Sequence, residues 1–373
     1  MAVLSGMRVV EFEGLGPGPF CGMLLADLGA DVILIERAGG ADMGQAAIFK
    51  RGKRSIALDL KDDTSLNIAI DIAASADALI EGLRPGVMER LGLGPDVIRA
   101  RNKKIVYGRL TGWGQTGPLA QTAGHDINYV SLSGAAWYGS AAGDAPTPPP
   151  TMVGDVGGGA LYLAIGILAG VLKARETGEG SIIDAAIVDG SAHMMNLLYS
   201  LRATGGLPDA RGASMLDGAH FYALYECADG KWISIGALEP KFYAELLDKL
   251  DLAGDADFAA QNDISKWPEL KARMASLFKS KPRDHWVALL HGTDVCFAPT
   301  LSPSEAMEDE HMKARNILRT VGGVMQAASA PRFDGEEPAD PRPTPASGQH
   351  TEEILSEIGM DDRAIAAWRG VAS

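Results

Sequence analysis

Cysteine is scarce in this 373-residue chain, with three residues at positions 21, 227 and 296. No two stand at metal-ligand spacing, and three scattered thiols cannot build a disulfide framework. Free buried thiols in a reducing cytosol are the expected state. Positive charge is also short: 34 Lys and Arg stand against 48 Asp and Glu, a net charge of -14. That balance lacks the basic face that general nucleic-acid binding needs. Long apolar runs are missing apart from one uncharged stretch, Val156–Leu172. It is short for a bilayer and carries Gly157, Gly158, Gly159, Gly166 and Gly170, so a helix buried inside the protein is expected, with no membrane span. No basic stretch followed by an apolar run opens the chain, so a secretory leader is not expected and a cytoplasmic location is.

What is present reads as a folded α/β protein. Apolar residues make up 46% and charged residues 22%, and the length suggests two domains. Short apolar runs at Met7–Glu13, Asp31–Glu36, Ser55–Leu60, Ala78–Leu83 and Ile105–Leu110 alternate with helical spacing at Phe20–Leu28 and Ser65–Ala74. Such alternation predicts a Rossmann-like parallel sheet with helices on both faces, whose ligands bind beyond the carboxyl ends of the strands. Ser181–Val188 predicts one more strand, followed by a helix to about Ala203. The pattern then changes. Phe221–Cys227 and Lys231–Ala237 flank the turn Ala228-Asp229-Gly230 as a hairpin, and helical patterns follow at Pro240–Leu250, Pro268–Ser280 and Arg283–His291. The expected plan is a large α/β domain over 1–190, a linker helix and loop over 191–218 and a small α+β domain over 219–303. A return linker over 304–350 then leads to a C-terminal helix in 351–373 that packs on the large domain.

The loop Gly14-Leu15-Gly16-Pro17-Gly18-Pro19 sits where a dinucleotide fingerprint would sit, with Glu36 ending the second strand. The pattern fails, because the third glycine is replaced by Pro19 or Cys21 in either register, and proline has no N–H to offer a pyrophosphate. Positive charge says more. Between Arg37 and Lys61 lie Arg37, Lys50, Arg51, Lys53, Arg54 and Lys61 against only Asp42 and Asp59, and Arg84 and Arg90 follow at the next strand end. A basic rim at strand ends suits a polyphosphate ligand.

Four longer motifs carry a resemblance: Arg51-Gly52-Lys53-Arg54-Ser55-Ile56-Ala57-Leu58-Asp59-Leu60-Lys61, Arg84-Pro85-Gly86-Val87-Met88-Glu89-Arg90-Leu91-Gly92, Leu110-Thr111-Gly112-Trp113-Gly114-Gln115-Thr116-Gly117-Pro118 and Val153-Gly154-Asp155. In this order, and extending to Gly348-Gln349-His350-Thr351, they resemble the family III CoA-transferase superfamily over nearly the whole chain. The resemblance implies CoA thioesters as ligands, with CoA as part of the substrate. It implies no NAD, flavin, metal or other cofactor, and an interlocked homodimer whose site lies between the large domain of one subunit and the small domain of the other. It also implies CoA contacts at Arg37, Leu58, Lys61, Gly82, Leu83, Arg84, Arg90, Gly124 and Tyr129.

Two chemistries occur in that superfamily. In the transferases an aspartate matching Asp155 attacks the thioester, and a glycine-rich loop of the small domain shields the intermediate. Here Gly124-His125-Asp126-Ile127-Asn128-Tyr129 replaces the usual Gly-Tyr-Asp type of sequence, and Gly236-Ala237-Leu238-Glu239-Pro240 lacks the glycine run. Both departures resemble the α-methylacyl-CoA racemases. Inverting a carbon next to a thioester needs a base on one face and an acid on the other, roles that His125 and Asp155 can exchange. The resemblance implies that the Asp126 backbone N–H meets the enolate oxygen and that Glu239 orients His125 from the partner subunit. It also puts Met194, Met195 and Met215 at an adaptable acyl surface. The expected function is racemisation of 2-methyl-branched acyl-CoA, an isomerase reaction, with CoA transfer through Asp155 as the alternative.

Overall fold

The structure, a computed structural model, describes residues 2–40 and 44–372; Asp42, counted above among the local acids, lies outside them. Six parallel strands form the first unit's sheet: β1 (Arg8–Phe12), β2 (Asp31–Arg37), β3 (Arg54–Leu58), β4 (Ala78–Glu81), β5 (Val106–Thr111) and β6 (Ile182–Ala186). Their order is β3-β2-β1-β4-β5-β6. Near-continuous apolar strands are what a parallel sheet covered on both faces requires. Alternation along them divides the core. Val10, Ile33, Ile35 and Ile56 face helix α2 (Asp63–Ala74) and the C-terminal Ile354 and Leu355. Val9, Val32, Ile80 and Val106 face α1 (Pro17–Asp27) and the long helix described below. Two short helices, α3 (Val87–Arg90) and α4 (Pro95–Arg101), follow β4, and α5 (Asp126–Leu132) lies beyond β5.

The uncharged run lies in a helix from Met152 to Thr177 that is apolar and long enough to cross a membrane. It is not buried all round, as the sequence had suggested. Leu163, Ile167 and Val171 of α6 (Leu161–Thr177) face the core, whereas Ile165 and Leu172 are 64% and 68% exposed. Its first part, Met152–Ala160, is wound as a π-helix, with the Val156 N–H donating to the Thr151 carbonyl five residues back at 3.0 Å. Here α7 (Ile187–Met194) approaches so closely that a Cβ on Gly158 would lie 2.5 Å from Ser191 Oγ. The glycine run is a packing face, and π segments recur at functional positions.

The second unit comprises residues 136–148 and 195–313. It holds α8 (Asn196–Ala203), the antiparallel strands β7 (Tyr222–Glu226), β8 (Trp232–Gly236) and β9 (Phe297–Thr300), and helices α9 (Pro240–Lys249), α10 (Trp267–Phe278) and α11 (Arg283–Leu290). Phe221, Tyr225, Ile233, Ile235, Leu246, Trp267 and Phe278 form its core. The third strand was not expected. It is four residues long and carries Pro299, tolerated because β9 is an edge strand. Residues 314–373 return to the first unit after α12 (Pro303–Glu308) and α13 (Glu310–Ala314). The stretch 304–350, expected as a linker, carries a ribbon of β10 (Leu318–Val321) and β11 (Val324–Ala327) around Gly322-Gly323. The expected single C-terminal helix is two, α14 (Thr351–Glu357) and α15 (Asp362–Ala372), parted at Gly359 with φ of 92°.

Candidate active site

Strand order reverses at β1, which lies between β2 and β4. That switch point, at the carboxyl ends, is where sheets of this kind leave a crevice for ligand. The loop after β1 enters it at Gly16, where a Cβ would lie 3.7 Å from Asp155 Oδ2. The loop after β4 carries Gly82-Leu83-Arg84, held because the buried Glu81 accepts the Leu83 N–H at 2.7 Å and the Arg109 Nε–H at 2.8 Å. Arg109 continues to Glu89 in α3 at 2.7 Å.

His125 caps the N-terminus of α5 in extended conformation. Its backbone N–H donates to Asn128 Oδ1 at 3.0 Å, and its carbonyl accepts the Asn128 N–H at 2.8 Å. The imidazole is exposed. Asp155 stands in the π segment, half-buried. Burial pushes its carboxyl up to about 6, the nearby negative charge of Asp126 pushes the same way, and His125 opposes them. A carboxyl poised there is part protonated near neutral pH, as an exchangeable acid and base must be. The Tyr129 phenol is raised by burial and by Asp155, with Arg84 pulling it down. His125, Asp126, Tyr129, Arg84 and Asp155 thus share one electrostatic neighbourhood. Tyr129 is buried, edge-on to Trp113 with ring centroids 4.7 Å apart, and its hydroxyl donates to the Gly124 carbonyl. In this structure that hydroxyl holds the loop before His125.

The basic rim divides sharply. Lys53 is fully buried and donates to Glu11 at 2.5 Å and to the Pro19 carbonyl at 3.0 Å. Arg51 pairs with Asp27 and donates to Gln326 at 2.7 Å. Arg54 joins Asp31, Glu353 and Glu357, and Lys50 bonds to buried Glu36. These four are structural, so the expected rim of six shrinks to Arg37 and Lys61. With Arg84 and Arg90 they are exposed, and their charged groups have no protein partner among the described residues. Arg37 ends β2, Lys61 and Arg84 follow the carboxyl ends of β3 and β4, and Arg90 ends α3. Leu58 is buried in the core, leaving only its backbone at the strand end. Among the described residues no group of three or more His, Cys, Asp or Glu is gathered to hold a metal ion.

Glu239 belongs to the second unit, exposed, as the N-cap of α9 before Pro240. Of the three methionines, Met194 and Met215 are exposed, whereas Met195 is buried and therefore serves packing. Sequence reasoning missed the approach of Gly16 to Asp155 and the π winding that presents the carboxylate. The run of glycines from 157 to 159 was the available signal for the second.

A parallel sheet with a crevice at its switch point, free cations at three strand ends and a histidine and an aspartate in one electrostatic neighbourhood define the class to compare with. CoA-transferase family III matches residues 4–351, and this chain belongs to that family. Two curated relatives are the alpha-methylacyl-CoA racemases of Mus musculus and Homo sapiens, 39% and 38% identical over 366 residues, covering 97% of this chain and 95% of each relative. Among solved structures, a CAIB/BAIF family protein from Brucella suis superposes with a TM-score of 0.83 at 26% identity, covering 96% of this chain and 99% of that one.

Proposed function

We propose that this protein is an isomerase that inverts carbon 2 of 2-methyl-branched acyl-CoA thioesters by exchanging a proton between two faces. The observation that carries the reading is the pairing of His125, exposed at a helix N-terminus, with Asp155, a carboxyl raised to about 6 in the adjoining π segment. The full-length likeness to two proteins named as alpha-methylacyl-CoA racemases supports it.

In one direction neutral His125 removes the α-proton, and the C–H electron pair moves into the enolate, leaving negative charge on the thioester oxygen. The Asp126 backbone N–H, without an acceptor among the described residues, is suited to stabilise that oxygen. Protonated Asp155 then returns a proton to the opposite face. The reverse direction exchanges the roles. Arg37, Lys61, Arg84 and Arg90 would take the phosphates of CoA, with Gly82, Leu83 and Gly124 as backbone walls. No cofactor is needed, since CoA arrives with the substrate.

We further propose a cytoplasmic homodimer in which Glu239 orients His125 across the subunit boundary. The exposed Ile165, Leu172, Ile127 and Leu132 of the first unit support burial against a second copy. The family name keeps one alternative: CoA transfer between carboxylic acids with Asp155 as nucleophile. Incubation with a 2-methylacyl-CoA in deuterated water, without acceptor acid, separates the two. Deuterium at the α-carbon is expected. No exchange, together with CoA transfer to an added carboxylate that is lost in Asp155→Ala, would overturn the racemase reading.

A further inference from the structure

The carboxylate of Asp126 is placed for more than its backbone role. It is buried on the first turn of α5, the residue after His125. Its Oδ1 accepts the backbone N–H of Asp155 at 2.8 Å, and its Oδ2 accepts the N–H of Thr151 at 3.2 Å. Both donors belong to the entry of the π segment, where N–H groups have no partner within the helix. The fit is close: a Cβ on Gly154 would lie 2.3 Å from Asp126 Oδ1, so only glycine leaves room for the carboxylate. One side chain therefore ties the element that carries His125 to the element that carries Asp155.

Resting on the racemase reading, we propose that the Asp126 side chain is a positioning residue that fixes Asp155 opposite His125 and keeps it able to act as an acid. The groups facing Asp155 are few. His125, Asp126 and Tyr129 come from α5, Arg84 acts from the loop after β4, and α1 offers only the backbone at Gly16. On α7 the titratable residues are Asp189 and His193, both exposed, and His193 is bonded to Tyr162. Of these neighbours Asp126 supplies the negative charge that favours the protonated form of Asp155. Like charge held this close is a general means of keeping one carboxyl protonated.

The test compares Asp126→Asn with Asp126→Glu, measuring kcat and KM for α-proton exchange in deuterated water between pH 4.5 and 9. Asn keeps one acceptor and removes the charge; Glu keeps the charge and displaces it. For Asp126→Asn the acid limb should move to lower pH by up to about one unit, with kcat falling about tenfold or more and KM changing less than about threefold. For Asp126→Glu the limb should stay near that of the wild type while kcat falls. An unmoved limb in a folded Asp126→Asn protein, or a loss confined to KM, overturns the proposal. If Asp126→Asn does not fold, the Glu variant decides: kcat equal to wild type would overturn the positioning role. Failure of the racemase reading looks different, because wild-type protein would then show no exchange at any pH.

Discussion

Replacing Lys53 by methionine should destabilise the first unit by about 3–5 kcal/mol, because it leaves the buried Glu11 carboxyl without its partner, to be held in a dry core either ionised and uncompensated or at the cost of taking up a proton. Glu11 and Lys53 are both essentially inaccessible, with Lys53 Nζ 2.5 Å from Glu11 Oε2, and Glu11 Oε1 has no hydrogen-bond partner among the described residues. Burial raises the Glu11 carboxyl to about 7 even beside Lys53, and burial lowers Lys53. Without the ammonium, Glu11 is expected to stay protonated well above pH 7. A folded acid whose pKa lies above its unfolded value holds a proton that the unfolded chain has released, so stability falls as pH rises. In wild type, with Glu11 near 7, that slope is already half gone at pH 7 and nearly absent above about pH 8. The variant should lose about 1.4 kcal/mol per pH unit between 7 and 8.5. Urea unfolding at several pH values measures both effects; a slope of about 3 kcal/mol per M turns the loss into a midpoint shift of more than about 1 M. Glu11→Leu combined with Lys53→Met should recover much of the stability, since an apolar pair needs no partner. A single-variant cost below about 1 kcal/mol, or no added slope above pH 7, would refute the reasoning. The consequence reaches the site, because Lys53 also holds the Pro19 carbonyl in α1, the helix whose N-cap, Gly16, adjoins Asp155.

The division of the basic residues predicts that Arg84→Gln and Arg90→Gln each weaken CoA-thioester binding by about tenfold to a hundredfold, more at low salt. Arg54→Gln should lower the melting temperature and leave that affinity unchanged; titration calorimetry at two ionic strengths checks the contrast. In the second unit, His220 is fully buried, bonded through Nε2 to the Tyr243 hydroxyl at 2.7 Å, and burial lowers it from 6.5 to about 4. The unfolded chain binds the extra proton between those values, so stability falls as pH drops from 6.5 towards 4, by on the order of 3 kcal/mol. His220→Gln should flatten that loss in thermal melts.

Much of the fold was legible because the first unit's strands are continuous apolar runs bounded by glycine and charge. All six strands lie within a few residues of expectation. β9 was not legible, since a four-residue edge strand with a proline has no periodicity to detect. The π segment was hidden for another reason. Its residues read as part of one ordinary buried helix, and the glycines do not separate α from π winding until α7 is placed against them. For the site, residue type and resemblance pointed to His125 and Asp155, and the structure brings both to one neighbourhood. Sequence could not sort the cations, because the acids that claim Lys50, Arg51, Lys53 and Arg54 arrive from β1, β2, α1 and α14, up to 303 positions away. Nor could it show Asp126 bonding to Asp155, which depends on how α5 meets the π segment.

The most direct test of the central claim starts from a single enantiomer of a 2-methylacyl-CoA in deuterated water, with no acceptor acid. Stereochemistry and α-deuterium are followed together in wild-type protein, His125→Ala and Asp155→Asn. The two-base account predicts that wild type reaches a nearly equal mixture with one deuterium per inverted molecule, while either variant retains CoA-ester binding and loses inversion by orders of magnitude. Inversion that survives the loss of either residue would contradict it.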